Sequence, residues 1–311
     1  MVRRQAPYHE APLPMSFLDR IRACNTYDLS NYTPFCIDRH LVGWIRPVVR
    51  DLLAEWPDVF TIRPDHVGIE RHLNTIQQRT AAIDRLTRIL VRRGVIPRWH
   101  GERYPVTAAD RLRPFLLIDR DAAPLYGVRS YGQHLNGFVR TREGIRLWVA
   151  RRAADKASYP GMLDNLVAGG LPYGVALADN LAKECWEEAA IPPPLSARAQ
   201  PVGAVSYCWE TAGGLKPDVL FTYDLELPES YTPRCTDGEV ESFELLPLER
   251  VAEMVQNSTD FKPNCNLVII DFLIRHGVIS PDDPDYLELV TGLRRPLNLA
   301  ALHEKRPLTQ P

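Results

Sequence analysis

Three glutamates, Glu184, Glu187 and Glu188, stand three and four residues apart in a stretch, 175–191, that contains neither glycine nor proline. Placed on a helix at about 100° per residue, Glu184 and Glu188 lie one turn apart with Glu187 beside them. Ala178, Ala182, Cys185, Trp186 and Ala189 then fall together on the other side. Three carboxylates on one patch suit Mg²⁺, which takes oxygen ligands octahedrally and completes its shell with water and substrate phosphates. Mn²⁺ is the alternative ion. An ion so held can bridge phosphate oxygens, offset their charge and lower the pKa of an attacking water. Gly169 and Gly170, just before the helix, let backbone come close to an ion and a diphosphate. The same three acids also fit the solvated face of an ordinary amphipathic helix.

The elements that must hold this patch can be read outward from it. A helix over 177–190 is stopped by Pro192, Pro193 and Pro194. Segments 137–140 and 145–150 bracket a TREG turn, and 202–209 and 219–227 bracket a glycine-containing one, so both pairs read as strand–turn–strand units. A short strand is expected over 239–245 and helices over 248–255, 267–275 and 286–293. This mixture predicts a layered α/β (α+β) domain. Residues 15–105 read as mainly helical. The apolar residues of 41–53 recur with a helical period that Pro47 kinks or divides, and a second helix over 73–91 ends at Gly94. The expected organisation is a flexible leader, 1–14, a smaller mainly helical α+β domain, 15–125, and a chemistry-bearing domain, 126–311.

Bulk properties exclude several classes. No apolar run approaches the ~20 residues of a membrane-spanning helix. A net charge of −2 without a basic stripe gives nucleic acid no footing. The leader has two arginines but no apolar core, so it is not a secretory signal. The six cysteines include no CxxC pair, which argues against structural zinc and for reduced thiols in a cytoplasmic protein.

The segment 169–191 resembles the signature of the Nudix hydrolases, G-x5-E-x7-R-E-U-x-E-E-x-G-U, where U is a bulky apolar residue. Gly169 takes the first glycine, Lys183-Glu184 the Arg-Glu pair, Cys185 the apolar place, Glu187-Glu188 the paired acids and Ile191 the last position. Val175, Lys183 and Ala190 depart from the pattern. An Asp179–Lys183 pair, four residues apart, would replace the brace that the family's Glu and Arg make. The resemblance implies an α/β/α sandwich with a mixed sheet, and metal held by Glu184, Glu187 and Glu188. It adds the Ala168 carbonyl and a further acid from a later strand, Glu239 in preference to Glu241. Attack by a metal-bound water on a diphosphate follows, with Glu184 or Glu239 taking the proton.

A narrower likeness extends over nearly the whole chain. His134–Gly137, Leu147–Arg152, the string from Lys156 through Tyr159 to Asn165, and 271–277 resemble the Nudix region that some fungi carry fused to thiamine pyrophosphokinase, with its own N-terminal domain. This implies a diphosphatase that converts thiamine diphosphate, or its oxidised and damaged forms, to the monophosphate. Compatible parts are present. Arg151, Arg152 and Lys156 could hold phosphate oxygens, although neighbours on a strand face opposite ways. Tyr159, Tyr207 and Trp209 could stack on a flat ring or simply pack. His134 and Asn136 could read a ring edge, and Asp164-Asn165 could equally brace their loop. Hydrolysis of nucleoside diphosphate derivatives, and a non-hydrolytic ligand sensor suggested by Val175, are the rival readings. The N-terminal domain could cover the site, set specificity or build a homodimer.

Overall fold

The computed structural model describes residues 16–295; the expected leader lies outside the described residues. The first part of the chain comprises α1 (Phe17–Ala23), β1 (Thr33–Ile37), β2 (His40–Ile45), α2 (Pro47–Leu53), β3 (Phe60–Ile62), β4 (Val67–Ile69), α3 (Ile76–Arg92), β5 (Arg103–Val106), β6 (Leu116–Asp119) and α4 (Ala123–Tyr126). Four of its strands form one sheet in the order β2-β1-β4-β3, and β5 pairs with β6. It is therefore a smaller α+β unit with more strand than the apolar periodicity suggests. The difference is clearest at 41–53. That run is strand β2 up to Ile45, then a helix that begins at Pro47. Leu41 through Ile45 are all buried, and a strand buried on both faces is as continuously apolar as a buried helix. Pro47 does not kink a helix here; it starts one, where its missing N–H costs nothing.

Helix α3 is capped by Thr75 and Gln78, each side chain accepting from the other's backbone amide, and buries Ile83, Leu86 and Leu90. Helix α1 goes elsewhere. Its Phe17, Leu18 and Ile21 enter the core of the second unit, and the Arg20 Nε–H donates to the Val255 carbonyl at 2.6 Å.

The second unit contains β7 (Ser130–Thr141), β8 (Gly144–Arg152), β9 (Leu163–Asn165), β10 (Val167–Gly170), α5 (Leu177–Ala189), α6 (Pro193–Ser196), β11 (Gln200–Thr211), β12 (Gly214–Glu226), β13 (Val240–Pro247), α7 (Leu248–Asn257), α8 (Pro263–Arg275) and α9 (Tyr286–Gly292). The strand order is β11-β12-β7-β8-β13, with β10 added to β7 and β9 to β8. The β12–β7 pair is parallel and the other pairs are antiparallel, giving a mixed sheet. One face packs on α1, α7, α8 and α9 through Phe138, Val205, Leu220, Leu267 and Phe272. The other packs on α5 through Leu135, Val167, Leu181 and Cys185. The result is the expected α/β/α sandwich. Among the described residues no helix is long and apolar enough to cross a membrane.

Candidate active site

Helix α5 buries Asn180, Leu181, Cys185, Glu188 and Ala189. The acids therefore do not all lie opposite the packed side. Glu188 is 7% exposed, whereas Trp186, grouped with the apolar residues on the other side, is 51% exposed. The buried stripe runs through positions 181, 185 and 188, spaced by one helical turn, and this carries Glu188 and the edge residue Glu184 toward strand β10. There the Ala168 N–H donates to Glu188 Oε2 at 2.8 Å. A Cβ on Gly169 would overlap the Glu184 carboxyl, so only glycine lets this carboxylate lie against the strand. Asn180 ties the start of the helix to the same segment, donating to the Gly170 carbonyl at 3.0 Å. The helix ends at Ala190 with φ 54°, a left-handed position that favours glycine, which is what the family pattern has there.

Electrostatically the patch is short of positive charge. Burial pushes the Glu188 carboxyl up to about 8; the Ala168 amide opposes this, and Asp164, Glu184 and Glu239 add to it. Burial also raises Glu184, with Lys183 opposing and Glu187 and Glu239 reinforcing. Two amines stand on the outer acids. Lys183 Nζ is 2.7 Å from Glu187 and 3.4 Å from Glu184, and Lys156 Nζ is 2.6 Å from Glu239. The expected Asp179–Lys183 brace is thus replaced by pairing one turn ahead, to Glu187. Two carboxyls, Glu184 and Glu188, raised by burial and flanked by the more exposed Glu187 and Glu239, fit a divalent cation.

The other expected binding residues go to different places. Arg151 Nη1 donates to the Gly161 carbonyl at 2.9 Å. His134 Nδ1 is 2.7 Å from Asn165 Oδ1, and burial pushes its imidazole down to about 4. Asn136 bonds to Asp224 and Asn165 and is 1% exposed. Tyr207 donates its hydroxyl to Asp218 at 2.9 Å beneath Trp209, and Tyr159 stacks on Trp209 with ring centroids 6.3 Å apart. His134, Asn136 and Tyr207 therefore sit in the buried layer under α8, away from the α5 face.

A second polar centre escaped the sequence reading. Asp164 accepts from Arg152 at 2.9 Å, from Lys262 at 3.2 Å and from the Cys265 thiol at 2.6 Å. His134, Asp164 and Cys265 have their ligand atoms within 4.8 Å of one another. They make a poor metal site nonetheless. Asp164 already has two cations on it, and the Cys265 thiol is pushed well up by burial and by Asp164. Another cation would meet repulsion. The only sequence signal was Asp164-Asn165 itself; nothing local marks Lys262 or Cys265 as its partners.

Comparison with known proteins settles the family. The NUDIX domain matches residues 135–265, and a domain of unknown function, DUF4743, matches 16–130. Nudix hydrolase 20, chloroplastic, of Arabidopsis thaliana is 43% identical over 302 residues, spanning 93% of this chain and 80% of that protein. The chain belongs to the Nudix hydrolases. Nudix hydrolase 24, chloroplastic, of the same plant is 43% identical over 283 residues, 89% of this chain and 77% of that protein. An uncharacterized protein of Saccharomyces cerevisiae is 37% identical over 220 residues, 66% and 64% of the two chains. In this Nudix hydrolase the signature helix is α5. The plant relatives overturn one expectation, cytoplasmic residence: both are named chloroplastic, and cysteine spacing does not distinguish one compartment that keeps thiols reduced from another.

Proposed function

We propose that this Nudix hydrolase cleaves the diphosphate linkage of a small heterocyclic diphosphate, thiamine diphosphate or an oxidised form of it, in a Mg²⁺-dependent reaction that yields the monophosphate. The observation that carries the hydrolytic part is Glu188, buried against the Ala168 amide with Glu184 beside it on Gly169. Glu184, Glu187 and Glu188, with the Ala168 carbonyl and Glu239, would hold the ion, which when bound offsets phosphate charge and lowers the pKa of an attacking water. Of the two candidates for the proton, Glu184 suits better. Burial raises its carboxyl toward the working pH, while Glu239 is held by Lys156. Lys156 and Lys183, now on the outer acids, are free to turn to phosphate oxygens once an ion takes their place. The likeness of the 156–165 string to the fungal fusion proteins points to thiamine as the substrate's other end, while the Tyr159–Trp209 stack lies with Tyr207 on the α8 side of the sheet.

The test is turnover on a panel with Mg²⁺: thiamine diphosphate, its oxo and oxy forms, ADP-ribose, a dinucleoside polyphosphate and nucleoside triphosphates. The expected result is a kcat/KM at least about tenfold higher on the thiamine-type diphosphates. A preference for nucleotides would keep the carboxylate chemistry and remove the thiamine assignment.

A further inference from the structure

The C-terminal end of α5 is closed by a distant segment of chain. The last carbonyls of a helix have no partner within it. In α5 they go to residues between β12 and β13. The Tyr231 hydroxyl donates to the Ala189 carbonyl at 2.9 Å, and the Arg234 N–H donates to the same oxygen at 3.1 Å. The Thr236 N–H donates to the Glu187 carbonyl at 2.8 Å. The Thr236 hydroxyl lies 3.0 Å from that oxygen and 3.1 Å from the Trp186 carbonyl, and donates to the pair. Thr236 is thus held on the backbone of Glu187, one of the three acids.

Glu239 follows three residues later, and the turn between them is tied to itself. Cys235 Sγ accepts from the Gly238 and Val240 amides at 3.2 and 3.3 Å. Asp237 Oδ1 accepts from the Cys235 thiol at 3.1 Å and from the Glu239 N–H at 2.9 Å. Gly238 has φ 84°, a left-handed position that a side chain would strain. On its other side Glu239 is held by the segment after β8. The Ala153 N–H donates to the Glu239 carbonyl at 3.0 Å, and Lys156 Nζ is 2.6 Å from its carboxylate. The acid therefore has two anchors, one beside β8 and one, through Thr236, on the signature helix.

We infer that Thr236 is a positioning residue for the reaction: its hydroxyl, on the Trp186 and Glu187 carbonyls, sets where Glu239 stands relative to the carboxylates of α5. The inference rests on the proposed role of Glu239 as an ion ligand and adds the residue that couples its turn to the helix. Thr236 is exposed, so losing its hydroxyl costs the fold little. An ion held by acids from two separate elements is sensitive to how those elements are spaced. Supporting contacts of this kind typically change metal affinity or activity by about 10–100-fold when they are lost.

The experiment uses the full chain with Thr236→Val, Thr236→Ser, Glu239→Gln, Thr236→Val combined with Glu239→Gln, and Glu188→Gln. It measures Mn²⁺ affinity by calorimetry without substrate, and kcat with Mg²⁺ on the diphosphate of highest kcat/KM in the panel. Thr236→Val keeps the side chain's shape and the backbone N–H. It should weaken Mn²⁺ binding and lower kcat each by about tenfold. Thr236→Ser, which keeps the hydroxyl, should stay within about twofold of wild type. In the Glu239→Gln background Thr236→Val should add less than about twofold, because the acid it positions is already lost. Equal losses in both backgrounds, a Thr236→Ser as impaired as Thr236→Val, or wild-type affinity and kcat in Thr236→Val would each overturn the positioning role. Wild-type affinity and kcat in Glu239→Gln, with Glu188→Gln inactive, also overturns it and leaves the hydrolase reading intact. An active Glu188→Gln removes the hydrolase reading itself and this inference with it.

Discussion

Glu188→Gln is expected to lower kcat by at least about a thousandfold, roughly 4 kcal/mol in the barrier, in a protein that stays folded. The amide oxygen can still accept the Ala168 N–H that Glu188 holds at 2.8 Å, so local geometry survives. What is lost is the charge. The same substitution should change how metal-free stability depends on pH. Burial raises the Glu188 carboxyl from 4.5 to about 8 in the folded protein. An acid raised on folding contributes its full stability below pH 4.5, and that contribution is lost as pH rises through 8. In EDTA, wild-type protein should therefore lose on the order of a few kcal/mol between pH 5 and 9 by chemical denaturation. Glu188→Gln should flatten that slope, and Mg²⁺ should oppose it in the wild type, because the ion binds the ionised form. A variant with the wild-type slope would show that Glu188 is not the titrating group.

Asp164→Asn should be the most damaging substitution for stability, at about 3–5 kcal/mol. Asp164, 5% exposed at its side chain, is the acceptor shared by Arg152 and Lys262, whose side chains are 14% and 15% exposed. An asparagine leaves both cations near a buried centre without a counter-charge. Burial works against the Asp164 charge, but Lys262, His134, the Cys265 thiol and Arg152 outweigh it and hold the carboxyl at about 2. An acid lowered on folding contributes above its ordinary 3.8, and the contribution is lost as pH falls through 2. Acid unfolding of the wild type should accordingly begin below pH 4, and the variant should lack that component. Adding Lys262→Met to Asp164→Asn should restore part of the stability; full additivity of the two losses in denaturant melts would contradict the shared network.

How much of this could be read from the residues depends on the range of the interaction. Short-range patterns were legible. The helical spacing of Glu184, Glu187 and Glu188, the proline stop after it and the Gly169-Gly170 pair locate the carboxylate helix, because a helix repeats locally. The hairpins around TREG and the glycine-containing turn were legible for the same reason. Position 41–45 was not, since a strand buried on both faces has no alternation to read. Nor was the burial of Glu188 in preference to Trp186, which depends on where β10 meets the helix rather than on residue type. The least legible features were long-range. Asp164 meets Lys262 across 98 positions of chain. Thr236 meets Glu187 across 49. No local periodicity records such meetings.

The most direct test of the central claim is the position of a bound ion, seen as an anomalous peak in crystals grown with Mn²⁺. Ion binding by the α5 carboxylates predicts the peak beside Glu184 and Glu188, next to Ala168, and its loss in Glu188→Gln. A peak at His134, Asp164 and Cys265, with none beside the glutamates, would contradict it.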